Sequence, residues 1–211
     1  MGSKPSVPKI GFMKERELPG KFIVVEGADG AGTTTMSKKL AEEVDAYWTR
    51  EPAENSIGQK VDEMISGDKH SAEAISLAFA ADRMIHLEEE VIPRLEKGKT
   101  VVSDRYYHSS LVYQPAMGVD FEWKKQLNRE AIKPDLTVLI DVEAETGMAR
   151  VEERGKDGNI FEEMDFQQEV VMRYRQLPEK LEEQIVKVDG SKGIQEVAQR
   201  VKNAVRGHID G

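Results

Sequence analysis

The sequence predicts an α/β protein in which helices flank both faces of a five-stranded parallel sheet. Two observations predict this fold class. Short apolar runs rich in β-branched residues alternate with longer segments of helical periodicity, and this alternation is typical of a parallel sheet covered by helices. A glycine-rich turn also separates the first apolar run from the first helical segment, which is where such sheets commonly bind a ligand.

Five runs along the chain have the length and composition of buried strands. Each is short and apolar, and polar or glycine-containing residues bound it. The predicted strands are "KFIVVE" (21–26), "AYWTREP" (46–52), "KTVVSDRY" (99–106), "PDLTVLIDV" (134–142) and "IVKVDG" (185–190).

The segments between these runs carry apolar residues at helical spacing. Gly67 and Gly98 are plausible helix ends, since glycine commonly follows the last turn of a helix. The predicted helices cover 34–44, 56–68, 71–98, 109–114, 121–132, 143–155, 166–184 and 193–209.

Composition bounds the domain count and the function class. The chain has 211 residues, of which 39% are hydrophobic and 33% charged, enough for one packed domain over 21–211 after a flexible, polar leader over 1–20. A net charge of −9 argues against a general nucleic-acid surface, although a local basic site remains possible.

The chain contains no cysteine, which excludes a disulfide, a thiolate zinc site and a cysteine nucleophile, and this composition fits a cytoplasmic protein. No apolar run approaches the roughly 18 residues of a membrane span, so we expect no membrane partner.

The turn "GADGAGTTT" (27–35) nearly matches the phosphate-loop pattern G-x-x-x-x-G-K-[ST]. Gly27, Gly32 and Thr34 fall in place, but Thr33 stands where the pattern has lysine. Glycines let successive backbone N–H groups converge on phosphate oxygens, and the following helix directs its positive end there. The Thr34 hydroxyl can ligate Mg²⁺. The alternative is a merely flexible strand–helix turn, which the flanking strand, helix and threonines disfavour.

Polar segments also follow the other predicted strands. The ends of strands two, three and four carry "TREP", "SDRY" and "DVEAE". Parallel strands present their carboxyl ends at one edge of a sheet, and ligands bind beyond that edge. The sequence therefore predicts that these groups share one site with the glycine-rich turn.

Five segments occur in an order that is highly specific when taken together. They are "VVEGADGAGTTT", "TREP", "LAFAADRMIH", "SDRYYHSSLVYQ" and "ARVEERGKDGNIFEEMD". Through them the chain resembles the thymidylate kinase family from about Lys21 to about Val205. The resemblance implies a P-loop NTPase-type three-layer fold with a small helical lid at about 150–165. It also implies transfer of the ATP γ-phosphoryl group to dTMP with Mg²⁺, and a homodimer, for which the helical run 71–97 offers an apolar interface.

The resemblance further implies a role for each position that matches a family motif. ATP binding falls on Gly27, Ala28, Gly30, Ala31, Gly32, Thr33, Thr34 and Thr35. Binding of dTMP falls on Asp29, Arg50, Glu51, Pro52, Phe79, Arg83, Arg105, Ser109, Ser110, Tyr113 and Gln114. Catalysis falls on Asp104, Arg105, Arg150 and Arg154, and Mg²⁺ binding on Thr34 and Asp104.

Several of these residues have a chemical reading and a plainer alternative. Arg50 ends a strand, where a guanidinium can hold a phosphate through two hydrogen bonds, and the alternative is an ion pair with Glu51 or Glu54. Phe79 and Arg83 are four residues apart and share a helix face. The resemblance implies that Phe79 stacks on thymine and that Arg83 hydrogen-bonds the base, whereas Phe79 alone would more often be core.

The acids and the lid arginines also leave alternatives open. Asp104 can reach Mg²⁺ or cap the following turn. The resemblance implies that Asp29 contacts the deoxyribose 3′-hydroxyl. Arg150 and Arg154 lie one turn apart and, in family members without an arginine in the phosphate loop, close over the transferring group. Their alternative is ion pairing with the neighbouring glutamates.

Thr33 leaves three hypotheses, which we rank in this order. In the first, the protein is an active kinase in which the lid or a backbone donor replaces the lysine charge. In the second, it is a slow or inactive nucleotide-binding protein. In the third, it is a regulatory or structural module that keeps the fold. Another nucleoside monophosphate kinase is the closest enzymatic alternative.

Overall fold

The computed structural model describes residues 18–67, 69–153 and 164–209. Its five strands form one sheet in the order β2-β3-β1-β4-β5, and all four neighbouring pairs are parallel. The predicted fold class is therefore confirmed. The strands are β1 (Phe22–Glu26), β2 (Tyr47–Arg50), β3 (Val101–Asp104), β4 (Leu136–Asp141) and β5 (Ile185–Asp189).

Helices connect the strands within the described ranges, and a π-helical turn at Leu87–Val91 joins two of them. The helices are α1 (Thr33–Glu43), α2 (Ser56–Ser66), α3 (Ala72–His86), α4 (Ile92–Leu95), α5 (Tyr107–Ala116), α6 (Phe121–Leu127), α7 (Ala144–Glu152), α8 (Met164–Lys180) and α9 (Ile194–Ile209).

Alternation along the buried strands divides the core between the two faces of the sheet. Ile23 and Val25 of β1 face α1 and α9, where they pack with Leu40 and Val201. Phe22 and Val24, on the opposite face, join a second core that includes residues of α5 and α8. These packed faces give three layers, with the sheet in the middle.

The predicted continuous helix over 71–98 is wrong in its middle. After α3 the chain widens into the π-helical turn, in which the Ile92 N–H donates to the Leu87 carbonyl five residues back. Pro93 follows directly, and it lacks the N–H that a regular helix would use at that point. A wider turn before the proline therefore separates α3 from α4.

Two other helices are shorter than predicted. Helix α6 ends at Leu127 rather than 132, because Asn128 leaves the helical conformation and a turn to Ala131 follows. Helix α8 ends at Lys180 rather than 184, soon after Pro178. The predicted end of α7 at 155 lies outside the described residues.

The last residues assigned to the leader are packed against the domain. Gly20 N–H donates to the Leu95 carbonyl at 2.9 Å, and Leu18 contacts the core around β1. A Cβ on Gly20 would lie 2.2 Å from the Lys99 carbonyl oxygen, so this approach requires glycine. Residues 1–17 lie outside the described part of the chain.

The register of the sheet sets the position of the site. Asp104 pairs with Val25 on one side and with Arg50 on the other, while Glu26 pairs with Leu139. The carboxyl ends of four neighbouring strands therefore form one edge, and the polar segments that follow them meet there.

Candidate active site

A cleft of about 360 Å³ opens at the carboxyl edge of the sheet. Its walls come from the loop after β1, the ends of β2 and β3, helices α2, α3 and α5, and one residue of α7. It is lined by Ala28, Asp29, Gly30, Gly32, Thr33, Thr34, Thr35, Arg50, Glu51, Pro52, Asp62, Ile65, Phe79, Arg83, Asp104, Arg105, Tyr106, Ser109, Ser110, Tyr113, Gln114 and Val151.

The glycine-rich loop leads into a helix start with unused donors. Gly30 and Gly32 have φ angles of 75° and 93°, a backbone region that L side chains rarely adopt. Helix α1 begins at Thr33 without a side-chain cap and without an acid in its first turn. The first N–H groups of a helix have no partner within it, so this start can bind an anion.

Two predicted ATP residues, Gly27 and Ala31, do not line the cleft. A Cβ on Gly27 would lie 2.8 Å from the Ile140 carbonyl oxygen, so this glycine allows the loop to sit close against β4. Ala31 packs into the core beneath α1. Both shape the loop from behind, while the remaining predicted ATP residues border the open space.

Thr34 and Asp104 bring together the donor set predicted for Mg²⁺. The Thr34 hydroxyl donates to Asp104 Oδ2 at 2.5 Å, and Asp104 Oδ1 is buried with no hydrogen-bond partner among the described residues. Within that part of the chain, no group of three or more His, Cys, Asp or Glu side chains could hold a metal ion by protein ligands alone. One carboxylate and one hydroxyl fit Mg²⁺, which usually keeps waters and binds substrate phosphates as well.

Arg105 lies at the centre of the cleft wall, with a φ of 69°. This left-handed conformation is uncommon for a residue with a Cβ, and such strain clusters at functional sites. Its guanidinium donates to Asp29 Oδ1 at 2.8 Å and to Ser109 Oγ at 3.1 Å. Burial opposes the charge, but Tyr113, Tyr174 and the nearby carboxylates raise the pKa of Arg105 above its ordinary value.

A buried carboxylate that the sequence analysis missed fixes the backbone around Arg105. Glu26, the last residue of β1, accepts hydrogen bonds from the Tyr106 N–H at 2.7 Å and the Ser109 hydroxyl at 2.7 Å. Tyr174 of α8 donates to the same carboxylate at 2.9 Å. An acid at the end of an otherwise apolar strand is the signal that indicates such a role.

Arg83 of α3 reaches the cleft from within the protein and is almost fully buried. Its Nε and Nη2 donate to Glu51 Oε2 at 2.9 and 2.6 Å, and Nη2 also donates to Ser110 Oγ at 3.3 Å. Its Nη1 donates to Asn128 Oδ1. Burial would raise the pKa of Glu51, but Arg83 and His86 bring it below its ordinary value.

The remaining predicted dTMP residues differ in how their polar groups are used. Within the described residues the Arg50 guanidinium makes no ion pair, so the predicted alternatives with neighbouring acids are not formed there. Gln114 Oε1 is buried without a hydrogen-bond partner in the described chain.

Asp29 and Ser109 already form hydrogen bonds within the protein. Asp29 accepts from Arg105 and Gln167, and Ser109 donates to Glu26. Phe79 lines the cleft one helical turn before Arg83.

Arg150 does not line the cleft in this structure, and its contact with the transferring group stays a prediction. Its guanidinium donates to the Gly30 carbonyl at 3.3 Å and the Gly190 carbonyl at 3.0 Å. A loop that directs its N–H groups inward presents carbonyls on its outer side, and Arg150 of α7 meets that side. Arg154 and most of the predicted lid (154–163) lie outside the described residues.

Four further residues line the cleft, and the sequence-based assignments above include none of them. They are Asp62, Ile65, Tyr106 and Val151. Asp62 and Ile65 belong to α2, and their helix gave no motif that would point to a site. His86 and His108 are both buried.

Comparison with known proteins gives the family. A family model described as thymidylate kinase matches residues 25–201, which is most of the chain. The chain belongs to the thymidylate kinase family. The predicted resemblance is thereby confirmed, and the matched range contains every cleft residue named above.

Three curated relatives match between 75% and 92% of the chain. A probable thymidylate kinase of Pyrococcus abyssi is 36% identical over 205 residues, 92% of this chain and 100% of the relative. One of Methanocaldococcus jannaschii is 39% identical over 189 residues, 89% of this chain and 95% of the relative. One of Methanococcus vannielii is 40% identical over 159 residues, 75% and 78% respectively. No helix in the described ranges is long and apolar enough to cross a membrane.

Proposed function

We propose that the protein transfers the γ-phosphoryl group of ATP to dTMP and releases dTDP and ADP. The observation that carries this proposal is a single cleft that joins an uncapped phosphate loop, two arginines at strand ends and a wall formed by Phe79 and Arg83. Family membership makes the chain a phosphotransferase and favours this activity over the alternatives, another nucleoside monophosphate kinase or an inactive variant.

On the donor side, the phosphates of ATP would bind the loop that ends at α1. The N–H groups of its first turn, together with the glycine backbone, would hold the β- and γ-phosphates. Thr34 and Asp104 would hold Mg²⁺, which neutralises phosphate charge when it is bound. Asp104 Oδ1, buried and without a hydrogen-bond partner among the described residues, supports this assignment.

On the acceptor side, the phosphate of dTMP would lie between Arg50 and Arg105. Both guanidinium groups line the cleft, and planar guanidinium groups suit phosphate oxygens. Phe79 would stack on the base, while Arg83, a donor only, would hydrogen-bond one of its carbonyls. Asp29 would accept a hydrogen bond from the sugar 3′-hydroxyl while Arg105 and Gln167 hold it in place.

The chemical step needs positioning and charge more than a covalent catalyst. An oxygen of the dTMP phosphate attacks the γ-phosphorus, the bond from that phosphorus to the β,γ-bridging oxygen breaks, and ADP leaves. A phosphate monoester is a good nucleophile, so no strong general base is required. Arg105 lines the cleft and contacts the phosphate loop through Asp29, which supports a role in place of the missing lysine. Arg154 of the lid would add a second charge.

Two broader expectations belong to the same proposal. Nucleotide metabolism suits a cytoplasmic enzyme, and the family is usually homodimeric, so we propose a homodimer through the face of α3. Leu77 on that helix is 53% exposed, which supports a covered face in the assembly. Light scattering coupled to size exclusion measures this directly: a dimer mass supports the proposal, and a monomer mass at assay concentration contradicts it.

The substrate assignment is tested by ADP formation with ATP, Mg²⁺ and each nucleoside monophosphate in turn. We expect the highest kcat/KM with dTMP. A preference for dGMP or CMP would show that Phe79 and Arg83 have been misread. Arg50→Met should lower kcat/KM by about a hundredfold or more, as the loss of a transition-state charge donor commonly does. Asp104→Asn removes the carboxylate proposed to hold Mg²⁺ and should cause a loss of similar size, because the bound metal neutralises phosphate charge. Arg129→Met, an exposed residue outside the cleft, is the matched control and should leave the rate unchanged.

A further inference from the structure

The hydrogen-bond donors of Arg83 are almost completely used by the protein itself. A guanidinium has five N–H groups. The Nε N–H and one N–H of Nη2 donate to Glu51, and the other N–H of Nη2 donates to Ser110. One N–H of Nη1 donates to Asn128. One N–H on Nη1 is left over. Arg83 lines the cleft, so we assign this remaining N–H as its donor to a bound base.

Asn128 is fixed so that its oxygen, and not its amide nitrogen, faces Arg83. Its Nδ2 donates to the Lys124 carbonyl at 2.7 Å, one turn back along the chain. That carbonyl accepts only, so the amide cannot turn over without placing an oxygen against an oxygen. Asn128 is buried, and α6 packs against both α3 and α5. Asn128 does not line the cleft, so any effect on the base passes through Arg83.

We propose that Asn128 is a positioning residue for base selection. It holds one Nη1 N–H of Arg83 and leaves the other directed at the C4 carbonyl of the pyrimidine. Thymine and uracil present an acceptor at C4, whereas cytosine presents an amino group. Arg83 cannot accept a hydrogen bond, so a rigid single donor disfavours cytosine. The inference rests on the proposed binding of dTMP in this cleft.

A purely structural role for Asn128 would have a different consequence. Loss of a buried hydrogen bond lowers stability wherever it lies, but it need not change the preference among substrates. Loss of Asn128, in contrast, leaves one Nη1 N–H of the planar guanidinium without its acceptor, so that end of the Arg83 side chain is held less firmly. The preference for a C4 carbonyl should then weaken, while the choice between dTMP and dUMP, which share that carbonyl, should stay constant.

The test compares Asn128→Leu, which removes both hydrogen bonds at similar size, with the native protein. We expect the KM for dTMP to rise about tenfold, the loss of one well-placed hydrogen bond, with kcat changed less than threefold. The ratio of kcat/KM for dTMP to that for dCMP should fall about tenfold, and the dTMP to dUMP ratio should stay within twofold. Calorimetric titration of dTMP should show the same loss of affinity.

Two further variants separate positioning from stability. Val201→Ala leaves a cavity in the core between the sheet and α9, on the opposite face of the sheet, and should lower the melting temperature without changing either ratio. Asn128→Asp keeps an acceptor for Arg83 but sets an oxygen against the Lys124 carbonyl, so it should lower the melting temperature while it restores most of the dTMP affinity that Asn128→Leu loses. An Asn128→Leu variant that loses only melting temperature, as Val201→Ala does, would overturn the proposal.

Failure of the proposed function gives another pattern. If the native protein neither turns over nor binds dTMP, the assignment of the cleft is wrong. If native dTMP binding is normal and Asn128→Leu leaves it unchanged, only the role of Asn128 is wrong.

Discussion

Arg83 and Glu51 form an ion pair that is almost wholly removed from water, with side-chain exposures of 1% and 2%. Taking one partner from such a pair leaves an uncompensated buried charge. Glu51→Gln should therefore lower the free energy of unfolding at pH 7 by about 3 kcal/mol or more. Urea denaturation measures this loss. The control is Glu63→Gln, which removes an exposed pair with Lys60 and should cost less than about 1 kcal/mol.

The same pair gives a pH dependence. Arg83 and His86, against the effect of burial, hold the pKa of Glu51 below its ordinary value of 4.5. The stability from this carboxylate is therefore present above pH 4.5 and is lost as the pH falls through the lower folded value. The difference between native protein and Glu51→Gln should shrink below pH 4.5. A difference that grows with acidity would contradict the assignment.

Lys124 is a buried amine whose Nζ has no hydrogen-bond partner among the described residues. Burial and then the charge of Arg83 lower the pKa of Lys124 to about 7 from its ordinary 10.5, with Glu51 opposing. Between these values the unfolded chain binds a proton that the folded chain does not, so native stability rises with pH across that window. Below pH 7 the full cost of burying the charge is present.

Lys124→Met should therefore stabilise the protein, with the largest gain below pH 7. The gain should narrow as the pH rises from 7 towards 10.5. In this range the native amine is already neutral, and the unfolded chain progressively loses the proton that favours unfolding. Melting temperatures at pH 6, 8 and 10 measure this trend. The partly exposed neighbour Lys125→Met is the control, with an expected change of less than about 0.5 kcal/mol. An equal gain from Lys124→Met at all three pH values would contradict the account.

At the scale of elements, the phosphate loop and α7 meet backbone to backbone. A Cβ on Gly30 would lie 2.0 Å from the Gly147 carbonyl oxygen, and a Cβ on Gly147 would lie 2.4 Å from the Asp29 carbonyl oxygen. The positive φ of Gly30 adds strain for any other residue. The contact between these two elements therefore depends on two glycines from separate parts of the sequence.

Gly30→Ala should displace the loop from α7 and weaken ATP binding by about tenfold or more, with a lower melting temperature. Gly207→Ala is the matched control, because it lies in α9, meets no atom within 4 Å, and exchanges glycine for the better helix former. It should raise the melting temperature slightly and leave ATP affinity unchanged. Titration with ATP and thermal melts check both variants. Native ATP affinity in Gly30→Ala would contradict the inferred contact.

The elements that sequence periodicity predicts well are those whose pattern is local. All five strands lie within their predicted ranges, because each is a short apolar run between polar residues. The π-helical turn before Pro93 was not predicted, since apolar spacing continues through it and only the missing N–H changes the backbone. The early end of α6 was not predicted either, because the Asn128 side chain that follows it accepts from Arg83 on another helix and donates to the Lys124 carbonyl.

For the molecule as a whole, the site follows from topology more than from any one motif. Parallel strands bring the segments after β1, β2 and β3 to one edge, so their residues could be predicted to meet. Two residues that support them from behind could not, because Tyr174 and Asn128 reach the site only through packing between distant elements, whereas Glu26 had a signal in its place at the end of an apolar strand. The contact of Arg150 could not be predicted for the same reason. Its helix was predicted, but its hydrogen bond to the Gly30 carbonyl of the phosphate loop was not.

The central claim is that this chain transfers phosphoryl groups to dTMP although Thr33 replaces the lysine of the phosphate loop. Because Arg105 and the lid supply the charge in this account, Thr33→Lys should change kcat less than about tenfold, well short of the 10²–10³ that a missing transition-state donor costs. The direct test is ADP formation with ATP, Mg²⁺ and dTMP, measured side by side for the native protein and Thr33→Lys. Turnover by both at similar rates is the predicted result. No dTMP-dependent turnover by the native protein, with activity appearing only in Thr33→Lys, would contradict it.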